Sequence, residues 1–142
     1  MIKSIIAGII AAIKAEFGAE YRTYDELPAQ GLREPCFYVK LVTPTTTRAV
    51  GRRAKKSYVF NITYFPQDDE NPAAECFDVS ERLSVILQDI TADGKIIHAD
   101  AEISGTFVDG NLQTKAGYTV PAMLPAEPYT NMEILQQATT AE

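Results

Sequence analysis

PCFYVKLVT, residues 35–43, and YVFNITYF, residues 58–65, decide the reading of this chain. In the first stretch Phe37, Val39 and Leu41 alternate with Tyr38 and Lys40. In the second, Tyr58, Phe60, Ile62 and Tyr64 alternate with Asn61 and Thr63. A period of two puts one set of side chains on a buried sheet face and the other set outside. The residues between them, Pro44 to Ser57, are polar and basic, with Gly51 near the middle. That is long for a hairpin connection, which usually takes about two to five residues. Either the two strands continue into it as a long arm, or it is a functional loop.

Upstream, Ile2, Ile6, Ile9, Ile13 and Phe17 recur at helical spacing, and Ile5 and Ile10 widen the stripe. The spacing predicts a helix over Ile2 to Phe17, stopped by Gly18. Its other side is small: Ser4, Ala7, Gly8, Ala11, Ala12 and Ala15. That side either faces solvent or packs on a neighbouring subunit. Lys14 and Glu16 cut the apolar run short, so the segment reads as a core helix, not an export signal or a membrane span. A short extended piece at Glu20 to Tyr24 and a polar loop with Pro28 and Gly31 lead to the first long strand.

Downstream, Gln67 to Asn71 reads as a turn into a second helix reaching about Ile90. Asn71 suits the N-cap, Pro72 the first helical position, and Glu70 and Glu75 the positive end of the dipole. Cys76, Val79, Leu83, Ile86 and Ile90 form its apolar stripe. After a turn at Asp93-Gly94 come strands at about Lys95 to Phe107 and Leu112 to Met123, joined at Asp109-Gly110. Such a pair marks a hairpin, because both residues tolerate positive φ. Leu112, Ala116, Tyr118 and Val120 share one face. The expected order is α, β, β, β, α, β, β. It describes an α+β domain over 1–123, one mixed or antiparallel sheet flanked by two helices. Residues 124–142 read as an extended tail, with Met132, Ile134 and Leu135 as its only apolar cluster.

Chemistry is scarce. The chain has one histidine and two cysteines, Cys36 and Cys76, with no CxxC spacing, no phosphate-binding glycine loop and no nucleophile elbow. The cysteines read as buried hydrophobes. His98, with Asp100 and Glu102 two and four residues on, reads as a polar strand face before it reads as a metal site. No catalytic residue, metal or cofactor is expected.

Charge is informative. The net charge is −6, but residues 35–67 contain no acid and carry Lys40, Arg48, Arg52, Arg53, Lys55 and Lys56. An acidic body with one basic arm can steer association with its own copies. Arg48, Arg52, Arg53, Lys55 and Lys56 are the candidate partner-binding residues. Their partner is an acidic protein surface, solvent alone, or DNA phosphate; no aromatic interleaves them to stack bases.

Several stretches then carry a likeness. They are the Ile-rich opening helix, the strand Glu34 to Lys40 and the basic segment Arg52 to Tyr58. Tyr64-Phe65-Pro66, the helix Glu75 to Leu83, Val108-Asp109-Gly110 and Met132-Glu133 follow in that order. Together they resemble a tail terminator family coded in prophages of Gram-positive bacteria, including defective, bacteriocin-like tails. Gln113, Thr114, Lys115 and Ala116 depart from it, being smaller or more polar than its aromatic-rich last strand. The resemblance implies a structural protein that forms a six-fold ring on the head-proximal end of the tail tube. The implied partners are further copies of the chain, the tube protein, and the sheath of contractile tails or head-completion proteins. DNA would be met only in passage through the ring, no membrane is involved, and assembly would take place in the host cytoplasm. A head–tail connector or neck protein of the same fold is the nearest alternative. A small DNA-binding regulator using the basic arm is a more distant one.

Overall fold

The computed structural model describes residues 1–18, 20–26, 31, 34–67, 70–100 and 102–125. The loop carrying Pro28 and most of the expected tail, with Met132, Ile134 and Leu135, lie outside them.

Helix α1 spans Ile2–Phe17 and ends at Gly18, whose φ of 91° suits glycine and whose N–H bonds the Lys14 carbonyl at 2.9 Å. Its fully buried line is Ile5, Ile9, Ile13 and Phe17, while Ile2, Ile6 and Ile10 flank it half-buried. The small side divides. Ala7, Ala11 and Ala15 are exposed, but Gly8 is buried against a strand of the same chain.

Five strands form the main sheet in the order β1-β2-β3-β7-β6. Edge strand β1 (Arg22–Tyr24) runs parallel to β2 (Cys36–Arg48). The pairs β2 with β3 (Arg53–Phe65), β3 with β7 (Asn111–Met123), and β7 with β6 (Ser104–Val108) are antiparallel. The α+β class and the mixed sheet with two helices stand as expected. Alternation survives the polar departure in β7: Thr114 and Ala116 face the core, while Gln113 and Lys115 point out.

Helix α2 spans Pro72–Ile86, shorter than the expected reach to Ile90. Ile90 belongs instead to a separate hairpin, β4 (Asp89–Ala92) with β5 (Lys95–His98). Ile90 falls on the helical stripe and also alternates with Ala92, so both periods bury it and the sequence pattern cannot choose. The expected strand Lys95 to Phe107 is likewise two strands. β5 pairs with β4 and β6 with β7, so the chain must step between two sheets. Both hairpin turns adopt positive φ, Asp93 at 52° with Gly94 at 73°, and Asp109 at 51° with Gly110 at 80°. Asn71 sits at the start of α2 but makes no side-chain cap bond. Glu75 ties that corner instead, accepting from the Tyr64 hydroxyl and from the Gln67 N–H at 2.8 Å.

The core lies between one sheet face and the layer of α1, α2 and the β4–β5 hairpin. Every sheet residue in its buried cluster belongs to the same face: Phe37, Val39, Tyr58, Phe60, Ile62, Tyr64, Leu112, Ala116, Tyr118 and Val120. Phe17, Phe37 and Tyr64 stack in sequence, with ring centroids 5.0 and 4.8 Å apart. Cys36 precedes Phe37 in the strand and so points to the opposite face, whereas Cys76 lies in the core beneath α2. Both are free and buried. Burial, then the carboxylates of Glu34 and Glu75, push the two thiols up to about 11, so at neutral pH neither is a thiolate nucleophile.

Candidate functional site

The long connection resolves into an arm. β2 and β3 remain paired out to Arg48 opposite Ala54, and β7 lies beside β3 out to Arg53 opposite Met123. The arm therefore has three strands, not two, and the third was not foreseen as part of it. Residues 42–53 are all exposed. The tip turns through Ala49–Arg52: the Ala49 N–H bonds the Arg53 carbonyl at 2.8 Å, and Gly51 has φ 63°. Threonines at 43, 45, 46 and 47 and the β-branched Val59 suit a strand with little burial, and Pro44 and Pro121 occur only in the two outer strands, where a missing N–H is tolerated.

The register separates the five candidate residues. Arg48 opposes Ala54, and Lys56 opposes Thr46 and Val120, so both lie on the side that continues the core face. Arg53 and Lys55 point the other way, beside Met123 and Pro121. Arg52 turns from the tip to the end of β7: its Nε donates to the Leu124 carbonyl at 3.1 Å, and its own carbonyl accepts from the Leu124 N–H at 2.7 Å. The arm thus presents cations on both faces instead of one cluster. Among the described residues, the ion pairs lie elsewhere, Arg82 with Glu16 and Asp78, and His98 Nδ1 contacts Asp89.

Apolar groups accompany the charge. Val50 at the tip is 82% exposed, Met123 63% and Val42 48%. Ala49, Pro121, Ala122 and Met123 floor a shallow groove rimmed by Arg53 and Lys55. The sequence places Met123 only at the end of an expected strand; its pairing opposite Arg53 is what puts it on the arm.

The other candidate chemistry dissolves. His98 faces Asp89 across the β4–β5 register, and the chain leaves the strand before Asp100 and Glu102, so the three do not share a strand face. Among the described residues no three His, Cys, Asp or Glu side chains converge to hold a metal ion. No described helix is long and apolar enough to cross a membrane.

A family model described as a phage tail terminator protein matches residues 4–129. The chain belongs to the phage tail terminator family. It is a structural component of virion tails, not an enzyme. The match spans α1, the sheet, the arm and the start of the segment beyond β7. No curated protein matches the chain. One solved chain aligns over 91% of this chain and 99% of its own length at 15% identity, with a TM-score of 0.44.

Proposed function

We propose that the chain closes into a six-subunit ring that caps the head-proximal end of a tail tube and meets sheath or head-completion proteins there, assembling in the host cytoplasm. The observation that carries this reading is the arm. It projects from the core, exposes Val42, Val50 and Met123, and bears Arg48, Arg52, Arg53, Lys55 and Lys56 without one described ion pair. Five like charges repel one another in isolation; set against the acidic flank of the next subunit or of the tube they guide docking. A closed ring joins two different patches on each copy, and an arm with an acidic body supplies two. Exposed ion pairs contribute only about 0.2–1 kcal/mol each, so the exposed valines and Met123 provide the apolar contact. The segment from residue 124 onward, tethered through Leu124 to Arg52, engages a neighbour on assembly.

Replacing Arg52, Arg53, Lys55 and Lys56 together with serine tests the reading. The variant should melt like the parent and terminate purified tubes poorly, as seen by electron microscopy of tube lengths. Tubes capped as well as by the parent, at low and high salt, would sink it.

A further inference from the structure

The sheet face that no helix covers is polar and basic through its middle, with Cys36, Tyr38 and Phe65 on it at one end and Pro121 and Met123 at the arm end. Strands β2, β3, β6 and β7 contain no aspartate or glutamate. On the face turned away from the core, Lys40, Asn61, Lys115 and Ser104 stand in one cross-strand row. A second row holds Thr45, Ser57 and Thr119, with the Ser57 and Thr119 hydroxyls 2.9 Å apart. Lys55 and Arg53 continue the face toward the tip. Carboxylates encroach at its margins: Asp100 Oδ2 lies 3.0 Å from the place a Cβ on Gly117 would occupy, at the β7 edge, and Glu34 stands close enough to Cys36 to raise its thiol. The carboxylates Glu16, Glu75, Asp78, Glu81, Asp89 and Asp93 belong to α1, α2 and the β4–β5 hairpin, behind the sheet.

We propose that this helix-free face is a sequence-independent contact surface for the phosphate backbone of duplex DNA. Lysine, arginine, serine, threonine and asparagine are the side chains that bind phosphate oxygens, and they carry no sequence information when they do. A protein interface would need aromatic or aliphatic anchors at its centre. Here the centre offers only half-buried Val59 among polar side chains. The absence of exposed rings between the cations argues for a duplex over stacked single-strand bases. From Asn61 to Arg53 the face runs about 26 Å along β3, most of a duplex turn of about 34 Å. In the proposed ring, such faces turned to the axis would meet DNA in passage, while the contact itself needs only one subunit.

The test is fluorescence anisotropy of a labelled duplex with the full chain, parent against Lys40→Ser/Lys115→Ser. Both lysines are exposed and stand clear of the arm tip, so melting and assembled mass should stay as in the parent, and the ring and DNA readings fail separately. With two phosphates neutralised by Lys40 and Lys115, which the proposed ring contact leaves free, parent affinity should fall about 10-fold between about 50 and 200 mM salt, and the variant's should scarcely change. Two duplexes of unrelated sequence should bind alike. No binding at low salt, an unchanged salt slope in the variant, or a marked sequence preference would overturn the proposal. So would poly-glutamate competing as well as duplex at equal charge, which would give the face to an acidic protein.

Discussion

At Gly8 a single missing methyl sets how closely α1 approaches β4. A Cβ there would lie 2.4 Å from the Thr91 carbonyl oxygen, which is backbone and cannot step aside. In an open helix Gly→Ala stabilises by about 0.5–1 kcal/mol. Gly8→Ala should reverse that sign and destabilise by about 1–3 kcal/mol, as overpacking does; urea unfolding, with exposed Ala11→Gly as the control, reads it. Tyr118 is buried and its hydroxyl donates to the Leu87 carbonyl at 2.6 Å, holding the end of α2 to β7. Burial, then Asp100 and Asp89, hold that hydroxyl protonated well above the ordinary tyrosine range. The two buried thiols act on the pH dependence in the same direction. Their folded pKa is about 11 against an ordinary 9.0, so the folded chain keeps protons that the unfolded chain releases. Their contribution is complete below pH 9.0 and is lost as pH rises toward about 11. Stability should fall through that window, and Cys36→Ala with Cys76→Ala should flatten the fall; an unchanged alkaline slope counts against it.

Helix α1 is the element on which the core depends most. Ile9 is 0% exposed between Ile5 and Ile13, facing the sheet and hairpin. Ile9→Asp buries an unpaired carboxylate and should unfold the domain or lower its melting temperature severely; a parent-like melt would show that the helix is not in the core. Its last turn is held from outside by Arg82, whose Nε donates to Glu16 at 2.9 Å and whose guanidinium lies 4.1 Å over the Phe17 ring. Arg82 reads in the sequence only as a residue off the α2 stripe. Both partners of that pair are solvent-accessible, so Arg82→Ala should cost little through charge. The arm is the opposite case, an element made of pairing with almost no burial, protected at its outer strands by Pro44 and Pro121.

For the whole molecule, charge is distributed by segment. The long strands of the main sheet carry bases and no acid, while acids are spread over the helices, the β4–β5 hairpin and the connecting segments. A ring built from such copies should loosen as salt rises, because exposed attraction is screened over about 10 Å at 0.1 M. Mass in solution across a salt series checks this. Val50, 82% exposed at the arm tip, gives the complementary test. Val50→Asp should leave monomer stability within about 0.5 kcal/mol and shift the mass toward the monomer. A ring that survives both high salt and Val50→Asp is not held by the arm.

The sequence by itself determined α1, the β2–β3 pair, α2, the Asp109-Gly110 hairpin and the acid-free basic stretch. Each is written in a local signal: a period of 3.6 or 2, a glycine with positive φ, or a run of one charge sign. Tertiary structure alone decided three things. Ile90 satisfies both periods, and only the space beneath α1, where Gly8 meets Thr91, makes it a strand residue. Strand order was open because Lys95 to Phe107 carries no glycine-marked break where it passes between sheets; the pairing of β6 with β7 is a long-range choice of partner. The candidate site was legible as five cations but not as a surface. Whether Arg48 shares a face with Lys56 or with Arg53 and Lys55 depends on the register of β2 with β3 across the shift between Leu41 and Thr43, and Lys115 joins Lys40 only through Asn61 between them. Local sequence fixes alternation along one strand, whereas the face that two strands share is set by the pairing between them.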